Sequence, residues 1–151
     1  VVSARNVLYK RRGRRIVDRS HCRWYYADRR IEDMARALVV DDSKFMRRVI
    51  IDALEDGGHS IIGEADNGEE ALELYKSHKP DFVTMDITIF GTDGIGTVQE
   101  IKKYDPNAKI IVVSALNEKT LKLNERNLNA DAYITKPFEK EQLLETIQKI
   151  L

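Results

Sequence analysis

Cysteine is nearly absent: the 151 residues hold one, Cys22. That excludes an internal disulfide, denies a structural zinc site the companions it would need, and suits a reducing cytoplasm. Long hydrophobic runs are also missing. The longest, Ala37 to Val40 and Ile110 to Ala115, stop far short of the roughly 18 residues that suggest a membrane span, so a soluble chain with no membrane partner is predicted. The three prolines, Pro80, Pro106 and Pro137, leave room for long regular elements between them. What is present is a 42% share of hydrophobic residues, enough to bury the core of one ordinary domain.

Net charge is zero as well, but the sum conceals a division at Met34. Residues 1–33 carry ten Lys or Arg against four acids, whereas residues 34–151 carry fifteen against twenty-one. The first segment shows no sustained periodicity and no apolar stretch after its charges, so it is not a secretory signal. Its arginines beside Tyr9, Trp24, Tyr25 and Tyr26 could stack on bases and neutralise phosphates. Charge runs are more often solvated, however, and the segment reads as a basic extension outside the core rather than a nucleic-acid site. Residues 34–151 read as the domain.

From Met34 onward short apolar runs alternate with amphipathic stretches, the sequence form of a β/α repeat. Strands are predicted near Arg36–Asp41, Ser60–Glu64, Asp81–Asp86, Lys109–Ser114 and Ala132–Thr135. Ser43 can cap a first helix with Phe45, Val49, Ile50 and Leu54 on its apolar face, ended by Gly57-Gly58. Asn67-Gly68 opens a second, carrying Ala71, Leu72 and Tyr75, and Pro80 stops it. A third runs from about Ile95 to Tyr104, a fourth near Glu118 to Leu128, and a fifth from Glu139 to Leu151 that buries Leu143, Leu144, Ile147 and Leu151. Apolar strands joined by helices give a parallel sheet covered on both faces, with right-handed crossovers. The expectation is an α/β fold: a five-stranded doubly wound sheet in the order 2-1-3-4-5, with five helices and a ligand site where strands one and three end.

Three carboxylates converge there. Asp41 and Asp42 follow the first strand and Asp86 ends the third, while Ser114 and Lys136 sit at the ends of the fourth and fifth. Three carboxylates and one ammonium sum to −2, which a divalent cation would neutralise. Oxygen-only donors favour Mg²⁺, a hard ion usually held by one or two carboxylates together with a phosphate. Zinc is disfavoured because no His or Cys accompanies these motifs. Phosphoryl transfer needs mainly positioning and charge stabilisation, and a carboxylate is a competent nucleophile. Asp86 is the candidate nucleophile, with Lys136 and Ser114 for the phosphoryl oxygens and Asp41 and Asp42 for the metal and its waters.

These motifs carry a resemblance. LVVDD at Leu38–Asp42, TMD at Thr84–Asp86, DG at Asp93-Gly94, VSA at Val113–Ala115 and KPF at Lys136–Phe138 fall at the spacing of CheY-like receiver domains, which residues 34–151 resemble along their whole length. The resemblance implies phosphorylation on Asp86 by a sensor histidine kinase. It also implies Mg²⁺ on Asp42, Asp86 and the main-chain carbonyl of Thr88, assistance from Asp41 through water, and a cis bond before Pro137. It further implies a switch in which Ser114 moves toward the phosphoryl group and Tyr133 turns inward, changing the partner surface of the fourth helix, fifth strand and fifth helix. Tyr133 can alternatively be a half-buried packing residue. One departure is Ile89-Phe90 in place of the usual Met-Pro, which leaves that loop freer.

The domain ends with its fifth helix and no DNA-binding domain follows, so a stand-alone regulator is expected. Phe45-Met46-Arg47-Arg48 resembles the chemotaxis branch of the family, which implies docking to a chemotaxis kinase and a flagellar motor switch protein. A phosphorelay intermediate and a phosphate-independent binding module are the alternatives. A phosphatase of the haloacid dehalogenase type would need a second acid two residues after the nucleophile, where Thr88 stands. The chain therefore reads as a phosphoacceptor rather than an enzyme acting on other substrates.

Overall fold

The computed structural model describes residues 34–88, 94–116 and 129–151. The predicted helix near residues 118–128, most of the loop holding Phe90, and the basic extension lie outside them. Five strands, β1 (Arg36–Val40), β2 (Ser60–Ala65), β3 (Phe82–Met85), β4 (Ile110–Ser114) and β5 (Ala132–Thr135), form one sheet in the order β2-β1-β3-β4-β5. Every neighbouring pair is parallel. Four helices are described: α1 (Lys44–Asp56), α2 (Gly68–His78), α3 (Gly94–Tyr104) and α4 (Lys140–Ile150). No helix among the described residues is long and apolar enough to cross a membrane.

The strands are near-continuous apolar runs because both faces of the sheet are covered. Leu38, Val40, Val83, Met85, Ile110 and Val112 belong to a core cluster with residues of α2 and α3. The alternate residues Ala37, Val39, Phe82, Ile111, Val113 and Ile134 belong to a second cluster with α1 and α4. The alternation follows from the two-residue repeat of a strand.

Local chemistry sets the ends of the helices. The Ser43 hydroxyl accepts from the Met46 N–H at 3.3 Å, and the Asn67 side chain accepts from the Glu70 N–H at 2.9 Å. Each satisfies one of the orphan donors of a first turn. Beyond α1, Gly58 takes φ +89°, a conformation few residues other than glycine adopt.

Two helix faces differ from expectation. Ile50 and Leu54 are buried in α1, but Phe45 is 74% exposed and Val49 lies on the surface. Helical spacing was expected to put all four in the core, but at about 100° per residue Leu54 stands on the opposite side of α1 from Phe45, so Ile50 and Leu54 pack in the core while Phe45 and Val49 face out. In α4, Leu143 and Ile147 are buried and Leu144 partly so, whereas Leu151 lies past the last turn and is about half exposed.

Candidate functional site

The cluster of carboxylates and lysine is built on strand ends that stay in the hydrogen-bond ladder one residue beyond each strand. The Asp41 N–H donates to the carbonyl of Ala65, the last residue of β2, at 3.1 Å, and Asp86 N–H to Val40 at the end of β1, at 2.9 Å. Lys136 N–H donates to Ser114 at the end of β4, at 2.7 Å. These side chains therefore stand on hydrogen-bonded backbone rather than on free loops.

Among the described residues, Asp41, Asp42 and Asp86 each offer a carboxylate oxygen within 4.8 Å of the others. Asp41 and Asp86 are 1% and 4% exposed, and Asp42 lies at the surface. Lys136 Nζ bonds Asp41 Oδ2 at 2.6 Å and Asp86 Oδ2 at 2.8 Å. Burial alone would lower the lysine's pKa. The hydrogen bonds to Asp41 and Asp86 and the two negative charges outweigh that cost and hold it above the ordinary 10.5. Lys136 is thus an ammonium at neutral pH, and the Lys136-Pro137 bond is cis, in agreement with the resemblance.

The other oxygens are also engaged. Asp86 Oδ1 accepts from the Thr88 N–H at 2.8 Å and from the Thr88 hydroxyl at 2.6 Å. Asp41 Oδ1 accepts from the Ser43 N–H at 2.9 Å. The Asp41 main-chain carbonyl accepts from Arg47 Nη1 at 2.7 Å, and Arg47 Nε reaches Glu64 Oε2 at 3.3 Å. The resemblance assigned Thr88 only a main-chain carbonyl. Its hydroxyl contact and the Arg47 clamp were missed, since neither spacing nor composition shows where a side chain folds back.

Ser114 is fully buried at the end of β4, and its hydroxyl accepts from the Leu116 N–H at 3.2 Å. Tyr133 is half-buried and packs against the cluster on the α2 and α3 face. The close approach of α3 to the site depends on Gly94. A Cβ there would fall 2.6 Å from Ile87 Cα and 2.9 Å from the Asp86 carbonyl oxygen, so this glycine lets the start of α3 pack directly on the backbone after Asp86.

Electrostatically the cluster holds three carboxylates against one ammonium and offers oxygen ligands only. That donor set fits a hard divalent cation, with the exposed Asp42 on the solvent side.

The model of the response regulator receiver domain matches residues 37–148. The chain is 44% identical over 115 residues to the chemotaxis protein CheY of Thermotoga maritima, covering 76% of this chain and 96% of that protein. It is 44% identical over 116 residues to CheY of Bacillus subtilis, covering 77% and 97%. In the crystal structure of the CheX-CheY-BeF₃-Mg²⁺ complex from Borrelia burgdorferi, a chain 34% identical superposes with a TM-score of 0.72, covering 76% of this chain and 87% of that one.

Proposed function

The chain belongs to the response regulator receiver family, and from that premise we propose that Asp86 accepts a phosphoryl group from a sensor histidine kinase. Asp41, Asp42, Asp86 and the main-chain carbonyl of Thr88 would hold Mg²⁺, which when bound supplies positive charge for the transferring phosphoryl oxygens. The observation that carries the reading is Lys136 Nζ bonded at once to Asp41 and Asp86: a part-buried cation beside the carboxylate that would take the phosphoryl group.

The chain's own residues set the remaining chemistry. Asp86 attacks phosphorus, a carboxylate oxygen–phosphorus bond forms, the phosphorus–nitrogen bond of the donor breaks, and the imidazole leaves with the electron pair and takes a proton. Before attack, the Asp86 oxygens are bonded to Thr88 and Lys136. Transfer of Lys136 from the carboxylate to a phosphoryl oxygen frees Oδ2 while keeping the ammonium paired. Ser114 would exchange its bond to Leu116 for one to the phosphoryl group, and Tyr133 would respond by turning further inward.

The similarity to CheY proteins over nearly their whole length supports a chemotaxis role, with a chemotaxis kinase upstream and a flagellar motor switch protein as target. Residues 1–33 would be dispensable for phosphoryl acceptance. Transfer from a panel of radiolabelled kinases tests the assignment: fastest labelling by a chemotaxis kinase is expected, and preferential labelling by a histidine phosphotransfer protein would instead assign a phosphorelay intermediate.

A further inference from the structure

Arg47 lies in the second turn of α1 and is not one of the acid, hydroxyl or lysine groups of the cluster, yet its guanidinium bonds the chain that carries them. Nη1 donates to the carbonyl oxygen of Asp41 at 2.7 Å, while Nε donates to Glu64 Oε2 at 3.3 Å near the end of β2. The side chain is only 15% exposed. With these bonds, every polar group of Asp41 is held. Its N–H bonds Ala65, Oδ1 accepts from Ser43, Oδ2 accepts from Lys136, and its carbonyl accepts from Arg47. The peptide bearing that carbonyl is the one that joins Asp41 to Asp42, so its orientation fixes how the two carboxylates diverge.

We propose that Arg47 is a positioning residue for the Asp41–Asp42 pair, clamping their shared peptide plane to Glu64 so that both carboxylates face the metal position. This inference rests on the reading of the cluster as a Mg²⁺ site. A guanidinium suits the task because its planar fork can serve two acceptors in fixed directions, which a lysine ammonium does not reproduce.

Charge and position make opposite demands, which allows a decisive test. Arg47 is a cation beside a cation site, so deleting its charge should tighten Mg²⁺ binding if electrostatics alone mattered. If its role is to orient the ligands, the same deletion should weaken binding, as loss of groups that orient metal ligands does.

The experiment is calorimetric titration of the full chain with MgCl₂, well below the unfolding midpoint, for the wild type, Arg47→Met and Arg47→Lys. Positioning predicts about tenfold weaker Mg²⁺ binding in Arg47→Met, by analogy with groups that orient metal ligands. Arg47→Lys, which keeps the charge without the fork, should be weaker too. Wild-type or tighter binding in a folded Arg47→Met would overturn the proposal. Should Arg47→Met not fold, Arg47→Lys decides alone, and wild-type affinity there would overturn it equally. A wild-type chain that takes up no Mg²⁺ would overturn the metal-site reading itself, a result distinct from a variant binding as the wild type does.

Discussion

Lys136 is the side chain on which most of the site's electrostatics turn, because removing it would leave Asp41 and Asp86 buried, close together and without a cation. Breaking a buried ion pair from one side is costly, so Lys136→Met should destabilise the unliganded protein by about 3 kcal/mol. The pH dependence follows from the direction of its shift. The folded-state pKa is raised above 10.5, so the lysine's contribution is fully present at neutral pH and is lost only as pH rises through the folded value. Urea unfolding from pH 7 to pH 11 should therefore show wild type and variant differing steadily to about pH 10 and converging above it. A gap that stays constant to pH 11 would mean that the ammonium is not the stabilising partner. Thr84 provides the opposite case. Its hydroxyl is buried in β3 without a hydrogen-bond partner among the described residues, so Thr84→Val, which keeps the shape and removes the unsatisfied group, should raise stability by about 1 kcal/mol in the same assay.

At the scale of elements, the start of α3 packs closely on the backbone that carries Asp86. Gly94 touches the backbone of Asp86 and Ile87, and a Cβ at 2.6 Å from Ile87 Cα would force backbone apart. Gly94→Ala is expected to cost about 2 kcal/mol, in the range of overpacked interiors. It should also slow Mg²⁺-dependent phosphorylation, because Asp86 and Thr88 would shift with the strained backbone. Normal phosphorylation with unchanged stability would show that α3 tolerates the added methyl group. A second element-scale contact joins α2 to the end of α3. Tyr75 donates to Asp105 at 2.8 Å, and its pKa is pushed up by burial and then by that bond. Tyr75→Phe should lower the thermal midpoint without touching phosphorylation, since it leaves the strand ends intact. The strand positions were legible in the sequence because both faces of the sheet are buried and the apolar runs are nearly continuous. Predicted and observed ends differ by a residue or so, as at β1, which stops at Val40 just before Asp41. Phe45 was misplaced because it lies on the opposite side of α1 from Leu54, and Leu151 because helical spacing does not report whether the last turn reaches the core.

For the whole molecule, the parallel topology explains why residues far apart in the chain meet: Lys136 and Asp41 are 95 positions apart, yet bond at 2.6 Å. The order β2-β1-β3-β4-β5 puts the ends of β1 and β3 side by side, and this much of the site could be read from motifs at strand ends. What could not be read is the network that fixes those residues, since the reach of Arg47 to a carbonyl and of Thr88 to Asp86 depends on rotamers selected by packing. The charge division at Met34 predicts that deleting residues 1–33 leaves both the urea midpoint and the phosphorylation rate unchanged; loss of either would assign that basic segment a part in the domain. The most direct test of the phosphoacceptor reading is the intact mass of the protein after incubation with acetyl phosphate, with and without Mg²⁺, beside Asp86→Asn. One phosphoryl adduct that requires both Mg²⁺ and Asp86 is the expected result, and a folded wild-type protein that gains no adduct, or an Asp86→Asn protein that gains the same one, would contradict it.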